Sequence, residues 1–314
     1  MWVLVGAIAV VAAGATVGAT LLTRTDTGGA STALPAARKG APELDLDLGV
    51  RTDDEAVALR RAEVLYANGR RKEAAAIFER YESLQAQIGS ALAAWPDGFD
   101  RLAALTREHP RSSLAQLELG LAFFWQNRLG QAEEAWRKAR RLEPDTSYAV
   151  RAEDLLHPRY FSGHPPFSPS FASPPELNKL SPPNQLAFLA ARAHRHDAHA
   201  KLLYGAALLK LGRTVSAERE FAAAARLAPD DPDARVAEAV GLFDKAKPSL
   251  AFSRLGPLVK VFPKAPVVRF HLGLMLLWLG QAQAGKAQLQ KVVAAGPSPF
   301  LAPTRLLLSK IPAK

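Results

Sequence analysis

The sequence predicts an all-α fold of stacked helical hairpins, on three observations. Pro229, Pro263 and Pro297 stand 34 residues apart. Small and large apolar residues recur in step with them: Gly205, Ala239 and Gly273; Leu208, Leu242 and Leu276; Phe221, Leu255 and Leu289. Alanine and leucine dominate, and β-branched runs are sparse beyond the N-terminus, which favours helix over sheet. A fixed period of this length means one helix pair per period, each hiding its apolar flank on the next.

The first element is Trp2–Leu22, a stretch of 21 residues without a charge. As a helix it is about 31 Å long, enough to cross the hydrocarbon core of a bilayer. It reads as a single transmembrane anchor. A cleaved signal peptide, with Ala13-Gly14-Ala15 as a small-x-small site, and a buried core helix are the alternatives. Gly14 and Gly18 form a GxxxG spacing through which two copies could pair as a homodimer. Applied literally to Arg24, Arg38 and Lys39, the positive-inside rule puts the remainder in the cytoplasm. An N-terminal anchor ahead of a long soluble domain usually delivers that domain across the membrane. The reading favours the extracytoplasmic side.

Residues 23–52 are rich in Gly, Ser, Thr, Ala and Pro, show no apolar period, and are expected to be a flexible linker. Repeats are expected over 53–157. The first starts near Asp53, with Ala62, Leu65, Gly69, Ala74 and Phe78 in place. Its second helix is expected to run through Ala94 and stop at Trp95-Pro96-Asp97-Gly98. A helix over Phe99–His109 follows. The fullest unit comes next: Leu119, Gly120, Phe123, Asn127, Leu129, Ala132, Trp136, Ala139 and Pro144.

This pattern resembles the tetratricopeptide repeat (TPR) family, in which a small residue recurs on each helix of the pair, with an aromatic and a closing proline later. The physical reason is that antiparallel helices approach closely only across small residues, here Gly120 and Ala132, or Gly205 and Ala217. Trp136 and Phe221 fill the space toward the next unit, and proline ends the second helix. The resemblance implies a right-handed helical-hairpin solenoid that binds another polypeptide.

Pro144 to Pro229 is 85 residues, two periods and a surplus of 17. The surplus fits a Pro-rich insertion over 158–183, which carries Tyr160, Phe161, Phe167 and Phe171. Its proline density forbids helix. It splits one unit into Ser147–Leu156 and a partner helix from Asn184 to about His194. It is either a surface loop or an arm whose aromatics dock on the repeats. C-terminal repeats are expected over 184–298, with a capping helix, about Leu301–Ile311, and tail in 299–314. Pro248 and Pro257 are expected to shorten or bend the second helix of the unit containing Ala239, and Gly285 replaces the usual alanine.

In the family the first helix of each pair lines a concave groove. By alignment the groove positions are Leu117, Leu121 and Phe124; Leu202 and Leu209; Val236, Val240 and Phe243; Phe270, Leu274 and Leu277. An apolar strip of this kind calls for a cover: a partner's segment, the chain's own Pro-rich arm, or the neighbouring helices. The Lys/Asn/Arg clamp by which some TPR modules hold acidic tails is absent, since Leu202, Ala206, Val236, Ala237 and Leu274 stand there.

The net charge is +10, but no five like charges are consecutive. That leaves a nucleic-acid or anionic-surface binder as the alternative function, with a solvated basic surface the simpler account. Cysteine is absent, which removes disulfides, thiolate nucleophiles and cysteine-zinc sites. His194, His196 and His199, with Asp197, are the only compact candidates for a metal, and no cofactor is expected. No GxxxxGK[ST], GxSxG, GxGxxG or HExxH occurs, and the paired acids Glu133-Glu134 and Asp230-Asp231 fall on helix surfaces or turns, so no catalysis is expected.

Overall fold

The computed structural model describes residues 38–311. Among these there are fifteen α-helices, one short 3-10 turn (Pro175–Lys179) and no strand. The transmembrane anchor, the GxxxG pair and residues 23–37 of the linker lie outside the described residues. No helix among the described residues is long and apolar enough to cross a membrane.

Two compact units divide the chain. The N-terminal unit holds α1 (Asp54–Ala67), α2 (Arg71–Phe78), α3 (Leu84–Ala93), α4 (Phe99–Glu108), α5 (Ser113–Trp125), α6 (Leu129–Leu142) and α7 (Ser147–Leu156). Each helix packs on the next in the chain, and α1, α3, α5 and α7 also touch in sequence, forming one layer of first helices. The second helix expected to run through Ala94 is two helices, because Ser83 caps a new start by accepting a hydrogen bond from the Ala86 amide. Residues 84–108 are therefore a hairpin of their own.

The C-terminal unit holds α8 (Pro182–Ala193), α9 (Ala198–Lys210), α10 (Thr214–Leu227), α11 (Pro232–Gly241), α12 (Ser249–Val261), α13 (Pro266–Trp278), α14 (Ala282–Ala294) and α15 (Leu301–Lys310). Here α9, α11 and α13 form the layer of first helices. The helix expected to pair with Ser147–Leu156 is α8, but it packs on α9. The insertion thus separates two units rather than splitting one hairpin. The last helix, α15, lies against α14.

Local chemistry explains the period. The first helices start at Asp53, Ser112, Asp197 and Asp231, whose side chains accept backbone N–H bonds. Proline occupies the first turn of α11 and α13. Four hairpin turns place Gly69, Asn127, Gly212 and Gly280 at positive φ. In each, the next amide bonds back five residues, as from Arg213 to the Leu208 carbonyl. Ala246 stands at the corresponding place but lacks glycine's freedom, and its amide is held by Asp244 Oδ1 in a different turn. The next helix, α12, runs thirteen residues, as long as α13 and α14, so the expected shortening does not occur. Pro248 caps it from outside, and Pro257 lies on its exposed side, where water reaches the freed carbonyl.

Phe78, Trp136, Phe221, Leu255 and Leu289 are all fully buried, one per hairpin. Glycine makes room for all but Leu255: a methyl group on Gly205 would lie 2.5 Å from the Phe221 ring. Gly285 departs from alanine for the same reason, since a methyl there would come 2.9 Å from the Gly273 carbonyl oxygen.

Candidate binding grooves on the first helices

All eleven predicted groove residues are buried. None of these positions is left as an open apolar strip, and an extended segment of the same chain lies over the first helices in each unit.

In the N-terminal unit the cover is residues 38–51, part of the stretch that composition marks as a flexible linker. The Arg38 amide donates to the Trp125 carbonyl at the C-terminal end of α5, 2.7 Å away. Its Nε donates to the Phe124 carbonyl (3.0 Å), and its guanidinium sits 3.8 Å from the centre of the Phe124 ring. Tyr66 Oη donates to the Pro42 carbonyl (2.6 Å). Glu118 accepts from the Asp45 amide (3.1 Å), Glu63 from the Leu46 amide (3.0 Å) and the Tyr148 oxygen from the Asp47 amide (2.9 Å). Arg151 pairs with Glu43 at 2.7 Å. Leu46 and Leu48 are buried. The order comes from satisfied backbone donors plus two leucine plugs, neither of which leaves a periodic trace.

This site is rich in carboxylates. Burial pushes Glu118 well above the usual carboxylate range, Glu63 up to about 7, and Asp45 upward. Arg151 opposes the shift at Asp45 and Glu118, and the neighbouring acids add to it. One oxygen of Glu118, Oε2, is buried without a hydrogen-bond partner.

In the C-terminal unit the cover is the Pro-rich insertion. The Phe161 amide donates to the Trp278 carbonyl (3.1 Å), at the C-terminal end of α13. His164 Nε2 lies 3.0 Å from the Phe243 carbonyl. The Ser168 amide donates to His271 Nε2 (3.0 Å), while His271 Nδ1 donates to the Val267 carbonyl (2.8 Å). Both ring nitrogens of a neutral imidazole are thereby used. Burial brings His164 and His271 down to about 4. Phe167 is buried between Phe221 and His271, with ring centres 5.2 and 5.1 Å away. Asp233 accepts from both the amide and the hydroxyl of Ser170. Phe171 stacks on His199 at 4.1 Å.

The two segments use matching positions of the repeat. Trp125 and Trp278 are 153 residues apart, as are Glu118 and His271, and Gly120 and Gly273. Both segments start at the C-terminal end of a first helix and run toward the N-terminal ends. The holding groups Glu63, Glu118, Asp233 and His271 were not singled out by the sequence. A signal exists: Glu118 is the only charged residue of Ser113–Trp125.

The histidine cluster does not assemble. His194 ends α8, Asp197 caps α9, and His199 lies 3.5 Å from Asp231. Among the described residues no group of three His, Asp or Glu converges as a metal site.

Residues 95–146, which include the hairpin of α5 and α6, match the family model of the tetratricopeptide repeat. Similar solved structures include YrrB, a TPR protein with an unusual peptide-binding site, at 16% identity, covering 67% of this chain and 100% of that one, with a TM-score of 0.31. Yeast Tom70 is 13% identical over 82% of this chain and 55% of its own, with a TM-score of 0.31. The C-terminal part of a TPR repeat-containing protein from Cytophaga hutchinsonii is 14% identical over 78% and 98%, with a TM-score of 0.29. None of the curated proteins matches the chain.

Proposed function

We propose that this chain, with its tetratricopeptide repeat at residues 95–146, is a membrane-tethered scaffold that holds another polypeptide in extended form on its first helices. One observation carries the reading: in both units the first-helix layer already holds an extended peptide, through backbone bonds to buried side chains and one or two apolar plugs. Here that peptide is the chain's own. A partner binds by replacing it, so the activity is regulated exchange rather than simple capture, and no catalysis is involved.

The uncharged segment Trp2–Leu22 supports the tether. Its Gly14/Gly18 spacing provides a route to a homodimer, and the soluble part is assigned to the extracytoplasmic side. The apolar groove positions, from Leu117 to Leu277, act from below the peptide as its floor.

The test uses a labelled peptide of residues 158–174 supplied in trans to the full chain. The variant Phe167→Ala with Phe171→Ala loses its own plug and binds the peptide, measured by anisotropy, while the parent chain does not. If a variant of unchanged helicity ignores the peptide, exchange is not the mechanism.

A further inference from the structure

The positive charge of this protein is concentrated in one place. Residues 245–314 contain eleven Lys and Arg and not one Asp or Glu. The preceding 244 residues hold the other 29 cations against all 30 acids. The whole excess therefore sits on the last repeats of the C-terminal unit.

The structure places these cations on the outer helices. Lys247, Arg254, Lys260, Lys264, Lys291 and Arg305 are exposed on α12, α14, α15 and the adjoining turns. Among the described residues none of the six is ion-paired with an acid. Earlier in the same unit the pattern is the reverse: Lys201 pairs with Glu220 and Arg235 with Glu238.

Large aliphatic side chains stand among the cations. Leu250, Val261 and Leu306 are 52%, 62% and 51% exposed. On α12 the spacing puts Leu250, Arg254, Pro257 and Val261 along one side, and all four are exposed. The Lys260-Val261 pair repeats Arg226-Leu227 one period earlier, with Leu227 also exposed at 41%.

We infer that the outer face formed by α12, α14 and α15 docks on an anionic lipid bilayer. Unpaired lysines and arginines are drawn to the negative headgroups. Leucine and valine beside them enter the interfacial layer, where their burial adds to the attraction. A nucleic acid would gain from the cations but not from exposed aliphatics, since single strands are held by aromatic stacking. This face is separate from the first-helix layer of the same unit, so docking leaves the groove of the C-terminal unit free to exchange.

The absence of cysteine gives a clean test, because one introduced thiol can be labelled alone. The full chain carrying an environment-sensitive dye at Val261→Cys is mixed with vesicles of phosphatidylcholine, or of phosphatidylcholine with phosphatidylglycerol. Dye emission shifts to the blue only with the anionic vesicles and reverts as salt is raised. A dye at Glu134→Cys, on α6, reports no change. Adding Arg254→Gln, Lys260→Gln and Lys264→Gln weakens the response by about 100-fold. Equal shifts in neutral vesicles, or no effect of the three substitutions, overturn the inference. So does a shift with a single-stranded oligonucleotide and none with vesicles. Should the triple variant misfold, dependence of the parent signal on lipid charge and salt still decides.

Discussion

Gly205 shows how little room the repeat leaves at a helix crossing. The Phe221 ring fills the place where a side chain would begin. Gly205→Ala therefore overpacks a fully buried site and is expected to cost about 1–3 kcal/mol. Denaturant unfolding measures it, and Phe221→Leu in the same chain should return part of the loss. The pairing was legible in advance because small and large residues recur at fixed separation. Gly89 was not, although it gives the Phe78 ring the same kind of space. The hairpin it belongs to departs from the period. The polar holding groups escaped notice for another reason. A lone Glu118 or His271 on an apolar helix announces a buried partner, but its partner is a backbone amide far along the chain, and amides carry no sequence signature.

The covering segments are where expectation and structure part furthest. A flexible linker and an ordered strap share the same composition, rich in proline and small residues. What separates them is whether the helices below offer acceptors, and that depends on tertiary placement. The arm alternative for 158–183 was readable from its four aromatics; the strap at 38–51 had only Leu46 and Leu48 to offer. The two segments should respond to pH in opposite senses. Glu63 titrates at about 7 in the folded chain against an ordinary 4.5, so the folded state keeps a proton that the unfolded one gives up. Its contribution is full below 4.5 and lost as pH rises through about 7. His271 and His164 sit at about 4 against 6.5, so the unfolded chain takes up protons first as acid is added. Their contribution is full above 6.5 and lost as pH falls toward 4. Hydrogen exchange, corrected for its intrinsic pH dependence, should show the amides near Leu46 opening from about pH 6 to pH 8 and those near Ser168 opening from about pH 6.5 to pH 4. Glu63→Gln should reduce the first response, with the remainder carried by Glu118, and leave the second intact.

At the scale of the molecule, the period carried the all-α class and the hairpins α5–α6, α9–α10, α11–α12 and α13–α14. It could not show that the chain separates into two units, because the surplus of residues is equally consistent with a split hairpin. The tether is a matter for cell fractionation. The full chain should remain with membranes after alkaline carbonate washing, and a Val10→Arg change within Trp2–Leu22 should release it. Retention of that variant would assign membrane association to another part of the protein.

Ordinary repeat arrays make nearest-neighbour contacts and can begin folding anywhere along their length. Here each cover precedes the helices it closes: Arg38 meets Phe124 across 86 residues, and Ser168 meets His271 across 103. During translation both segments leave the ribosome first and wait, unprotected, until the later hairpins are made. That delay adds long-range loop closure to an otherwise local fold and slows its final step. It also opens a period in the life of every nascent chain when a foreign strand could take the seat first.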